Sequence, residues 1–125
     1  GGRNVTIVSN TVLITPYGGA DGDFDYVSNS ALGLWAELGN VTGTVLVDSN
    51  YLAGGGRIMY LQQKSPFEWQ GPVVVTNNMF DRALTEHGGI WGVLFPDGLP
   101  ANLTWSDNIW EDGTAVSLDA AIATY

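Results

Sequence analysis

Apolar and polar residues alternate along this chain in short stretches, and one arrangement recurs: apolar, any, apolar, any, any, Asn, any, apolar. It occurs four times without an internal gap, at 5–12, 45–52, 73–80 and 103–110. The motif asparagines Asn10, Asn50, Asn78 and Asn108 are therefore 40, 28 and 30 residues apart. The period-two start of each copy predicts a strand with one face inward, and the asparagine marks a bend. A repeat of this length is too short to bury a core alone but suits one coil of a solenoid, whose apolar face is covered by its neighbours.

Asparagine tolerates left-handed backbone, and its amide can bond both to its own turn and to the asparagine of the next repeat. Asn10, Asn50, Asn78 and Asn108 are thus predicted to form a structural ladder at the strand spacing. A second apolar segment follows each motif, at 31–38, 57–61, 90–95 and 115–118, so each coil is expected to hold at least two strands. In the first of these, Leu32, Leu34, Ala36 and Leu38 share one face, leaving Trp35 and Glu37 on the other. The stretch 16–26 and the shorter 63–71 have loop composition and are expected to protrude.

Composition agrees with an all-β domain: 45% hydrophobic, 14% charged, with 17 glycines and 5 prolines spread over 125 residues. Its abrupt start within a regular element is expected of a fragment or C-terminal part of a longer protein, with residues 1–125 forming one domain. A net charge of −9 and the lack of a basic stripe argue against nucleic acid as a partner. Without cysteine there are no disulfides, thiolate metal sites or cysteine nucleophiles. No apolar run approaches the ~20 residues of a helical membrane span, so membrane insertion is not expected.

The run Asn4-Val5-Thr6-Ile7 with Asn10, the turn 50–56 followed by Arg57-Ile58-Met59-Tyr60, and the segment 105–113 resemble right-handed parallel β-helix proteins of the pectin-lyase-like type. Among these, the chain is most similar to C-terminal coils of secreted actinobacterial β-helix proteins and to related phage minor tail proteins. The resemblance spans 4–116 and implies an all-β, right-handed parallel β-helix (solenoid) of about four coils with an asparagine ladder. It is nearly silent about activity, because this fold carries lyases, hydrolases, epimerases, adhesins and tail fibres.

Polysaccharide lyases of this type use basic residues, often beside calcium. Here Arg3, Arg57, Lys64 and Arg82 fall in different repeats and do not share one position. Glycoside hydrolysis needs two carboxylates across the scissile bond, and Asp21, Asp23 and Asp25 with Glu37 are the candidate catalytic set. The Asp-x-Asp-x-Asp spacing of Asp21, Asp23 and Asp25 also begins like a calcium loop, so Ca2+ is a candidate ligand, although Tyr26 and Leu32 break the EF-hand pattern. His87, the single histidine, makes a poor metal site or triad. The sequons at Asn4, Asn40 and Asn102 arise wherever a turn asparagine precedes a β-branched strand start, and glycosylation does not follow from them.

Trp105 and Trp110 occupy inward motif positions, whereas Trp35, Trp69 and Trp91 are free to face outward. A ring face beside carboxylates and amides is what a sugar stacks on, which makes Trp35, Glu37 and Trp69 the expected glycan-binding residues. The outward motif positions are Thr6, Leu46, Val74 and Thr104, so Leu46 and Val74 are expected to form an interface in a self-associating chain, a trimer first. These expectations describe a non-enzymatic structural or glycan-binding module of a phage tail or secreted surface protein, at an extracellular or virion-surface location. Its partners would be further copies, other virion or surface proteins, or a cell-surface polysaccharide. The rival readings are a fragment of a secreted polysaccharide-degrading enzyme and a subunit of an extracellular filament or surface layer.

Overall fold

The structure is a computed structural model that describes residues 3–14 and 29–125. In chain order its elements are β1 (Val5–Val8), β2 (Thr11–Ile14), β3 (Leu32–Ala36), β4 (Val45–Asp48), β5 (Tyr51–Gly54), β6 (Met59–Gln63), β7 (Val73–Thr76), β8 (Met79–Asp81), β9 (Leu103–Ser106), β10 (Ile109–Trp110) and one helix, α1 (Leu118–Ile122). The described strands make a sheet ordered β1-β4-β7-β9, a second ordered β10-β8-β5-β2, and a pair, β3-β6. Every pairing between named strands is parallel, each partner reached through a long crossover connection.

The apolar alternation sets the register. Val5, Val45, Val73 and Leu103 lie side by side, as do Ile7, Val47, Val75 and Trp105. In the two middle strands these inward valines are completely buried, while Leu46 and Val74 between them stay half-buried on the outer face. The second strand of each motif adds Leu52 and Phe80 to the same core. Phe80 stacks on Trp105 with centroids 5.7 Å apart and meets Trp110 edge-on at 6.4 Å.

Three expectations about local structure change. The left-handed residue is the one before each ladder asparagine: Ser9, Ser49, Asn77 and Asp107 have φ between 53° and 59°. That residue turns the chain from one sheet into the next, and the asparagine after it is left free to aim its amide inward. Leu32, Leu34 and Ala36 do face the core, but Leu38 is 97% exposed because β3 ends at Ala36.

The segments 90–95 and 115–118 form no named strand, and Leu94 makes only an isolated parallel bridge to Met59. Ala115 makes an antiparallel bridge to Ile109, and Ser117 then caps α1, its Oγ accepting from Ala120 N at 3.1 Å. Val116 and Ala121 are buried against the end of the core, with Leu94 N donating to Ala121 O at 2.8 Å. This segment covers the end beside β9 and β10, and the Leu46–Val74 stripe lies elsewhere.

Candidate functional site

The four motif asparagines are joined by one repeated geometry. Asn10 donates through both N–H and Nδ2 to Asn50 Oδ1, at 2.9 and 3.0 Å. Asn50 does the same to Asn78 Oδ1, and Asn78 to Asn108 Oδ1, all at 3.0 Å. The amides also reach sideways: Asn50, Asn78 and Asn108 Nδ2 donate to the carbonyls of Ile7, Val47 and Val75, the inward residues of the preceding repeat. Asn50, Asn78 and Asn108 are buried, whereas Asn10, on the edge strand pair, is exposed. Each buried amide thus has partners for its oxygen or nitrogen in a neighbouring repeat, which makes the row structural.

The surface outside β3 and β6 has a different character. Burial of Met59 and Leu61 on β6 sends Tyr60 and Gln62 outward, and register places Tyr60 beside Gly33 and Gln62 beside Trp35. The Trp35 indole folds back over its own strand onto Gly33, where a Cβ would stand 1.9 Å from Trp35 Cη2. Only glycine leaves room for this, and the indole stays 45% exposed.

Trp35 approaches Tyr60 at 5.9 Å between centroids, and Tyr60 stacks on Phe95 of the following repeat at 4.9 Å and 19°. The result is a row of three rings crossing three successive repeats. Its rim is polar: Gln62 lies in register with Trp35, and Lys64 N donates to Ala36 O at 3.1 Å, which brings Lys64 alongside exposed Glu37. Flat apolar faces edged by amide, carboxylate and ammonium groups suit a polyhydroxylated ligand.

Of the expected sugar-binding residues, Trp35 and Glu37 lie at this row, and Trp69 does not. Trp69 is 5% exposed and sits in the core, its backbone held by a parallel bridge to Val41 and by the main-chain N–H donating to Gln63 Oε1 at 3.1 Å. A bulky indole that follows a loop is readily folded inward where two repeats leave space, and the loop's composition carries no sign of it. Tyr60 and Phe95 were missed because their segments had no readable phase; the signal was the pair of apolar neighbours Met59 and Leu61. Asp21, Asp23 and Asp25 lie outside the described residues.

Two of the four basic residues, Arg57 and Arg82, are committed to partners within the chain. Arg57 is buried, its Nη1 donating to Leu94 O and Ala123 O and its Nη2 to Thr124 Oγ1 at 2.6 Å, so it ties the C-terminal segment to the core. Arg82 pairs with Glu111 at 3.0 Å and Asp112 at 2.9 Å while lying over the Trp110 ring. The Thr114 hydroxyl, then the Thr114 N–H and the Arg82 guanidinium, hold the Asp112 carboxyl down at about 2. Comparison with family models, with curated proteins and with solved structures finds no match.

Proposed function

We propose that this chain is a right-handed parallel β-helix module of about four coils that binds a glycan without cleaving it, as part of a phage tail or secreted surface protein. The observation that carries the glycan reading is the row Trp35–Tyr60–Phe95, with Trp35 seated on Gly33. Gly33 leaves room for the Trp35 ring over the strand, where the indole stays exposed beside Tyr60. Ring faces supply stacking and orientation, which is the chemistry of holding a sugar.

The solenoid reading is supported by parallel pairing of strands in successive repeats and by the asparagine row that runs through them. The resemblance to secreted and tail β-helix proteins supports an extracellular or virion-surface location. Self-association through Leu46 and Val74, in a trimer, accords with their half-buried outward position between exposed Thr6 and Thr104.

Intrinsic fluorescence titrated with cell-wall oligosaccharides tests the central claim. The emission should shift on binding, and Trp35→Ala should abolish the shift with the far-UV circular dichroism unchanged. A flat response across a broad glycan panel would refute it.

A further inference from the structure

A second indole repeats the arrangement found at Trp35. Trp91 is 42% exposed, and its ring crosses Gly56, where a Cβ would stand 2.5 Å from Trp91 Cζ3 and 3.3 Å from Asn29 O. The backbone holds it there: Trp91 N donates to Gly56 O at 2.8 Å, and Ile90 N to Gly55 O at 3.0 Å. Two exposed tryptophans, each lying on a glycine that a methyl group would displace, are hard to attribute to core packing, which hides ring faces instead of presenting them.

The two positions belong to one set of adjoining segments. Residues 56–60 lead from Gly56 into Tyr60, and residues 91–95 run beside them from Trp91 to Phe95, tied by Met59 N to Val93 O at 2.8 Å and Phe95 N to Met59 O at 3.0 Å. Gly56 and Tyr60 are four backbone steps apart, at most about 14 Å, and Gly33 pairs with Tyr60 across one strand spacing of about 4.8 Å, so the two glycine platforms are at most about 19 Å apart. Two separate platforms on adjoining segments suit successive residues of one chain.

Charge narrows the ligand. The chain carries −9 overall; Arg57 is spent on carbonyls, Arg82 on Glu111 and Asp112, and Lys64, the cation at the rim of the row, stands alongside Glu37. A polyanionic chain would meet an unfavourable field with little local compensation. We infer that Trp91 on Gly56 and Trp35 on Gly33 form a bipartite site for one extended, uncharged polysaccharide strand. This rests on the glycan reading of Trp35 and adds to it a second contact and a substrate class.

Calorimetric titration of the intact chain with a chito-disaccharide, a chito-hexasaccharide and a hexameric galacturonide separates the possibilities. The hexasaccharide should bind more tightly than the disaccharide, and Trp91→Ala should weaken the hexasaccharide by roughly three- to tenfold while leaving the disaccharide unchanged. The galacturonide should bind more weakly than the neutral hexamer, the gap closing as salt is raised. If Trp35→Ala abolishes binding and Trp91→Ala leaves the hexasaccharide untouched, the bipartite site is wrong and the glycan reading stands. Equal or tighter binding of the galacturonide would overturn the substrate class. If no saccharide binds, and light scattering shows self-association lost in both variants, the rings form a protein contact and both claims fall.

Discussion

Replacing Asn78 by alanine removes the most heavily bonded side chain of the asparagine row. Its Oδ1 accepts from Asn50 N and Asn50 Nδ2, and its Nδ2 donates to Asn108 Oδ1, Val47 O and Thr76 O, each at 3.0 Å and at a position with no solvent exposure. Truncation strands the buried Asn50 N–H, which costs about 1–3 kcal/mol, while the carbonyls each lose one of two possible partners for about 0.5–1 kcal/mol. The sum is about 3 kcal/mol, a large share of the roughly 5–15 kcal/mol that holds a domain together.

Asn10 offers the contrast. It is exposed, and its Nδ2 bonds to Val8 O and Asn50 Oδ1 can be replaced by water, so Asn10→Ala should cost about 1 kcal/mol or less. Urea denaturation measures both. The midpoint should fall about three times as far for Asn78→Ala as for Asn10→Ala, with the slope unchanged, because the surface exposed on unfolding is nearly the same. Equal losses at the two positions, or a loss at Asn78 under about 1 kcal/mol, would refute the view that burial and shared amides set the cost.

Four further outcomes are expected. Gly33→Ala should lift the Trp35 ring off the strand, changing the near-UV circular dichroism and weakening glycan binding while moving the thermal midpoint little; an unchanged aromatic spectrum would contradict the seating of the ring on Gly33. Arg57→Met should free the C-terminal segment from its bonds to Ala123 O and Thr124 Oγ1, seen as faster amide exchange over 118–124 than in the β4 and β7 strands. Asp112 falls from an ordinary value of 3.8 to about 2, so its bonds to Thr114 and Arg82 contribute fully above pH ~4 and are lost as pH drops through 2; Thr114→Val should raise its carboxyl titration by NMR. Light scattering should show a trimer that dissociates on combined Leu46→Glu and Val74→Glu, and a monodisperse monomer at micromolar concentration would remove the self-association proposal.

The alternation of Val45, Leu46, Val47 and of Val73, Val74, Val75 was sufficient to place strands and to assign their inner faces. Side chains alternate strictly along a strand, and each repeat meets only its neighbours, so a motif recurring at 28 to 40 residues carries its own register. The asparagine positions were legible for the same reason: identical residues at identical repeat positions come to lie side by side. What the tertiary structure alone decided lies outside the motif. Trp69 went inward and Trp35 stayed out, although both are indoles in loop-flanked segments, because only Trp69 found a space between repeats, beside Val41. Tyr60 and Phe95 joined Trp35 through pairing between separate repeats, and Arg57 found its acceptors at Ala123 and Thr124, more than sixty residues away. Period two gives a direction relative to the strand; which outward residues share a surface depends on where the intervening loops bring the next strand, and loop paths follow from packing that no local pattern encodes.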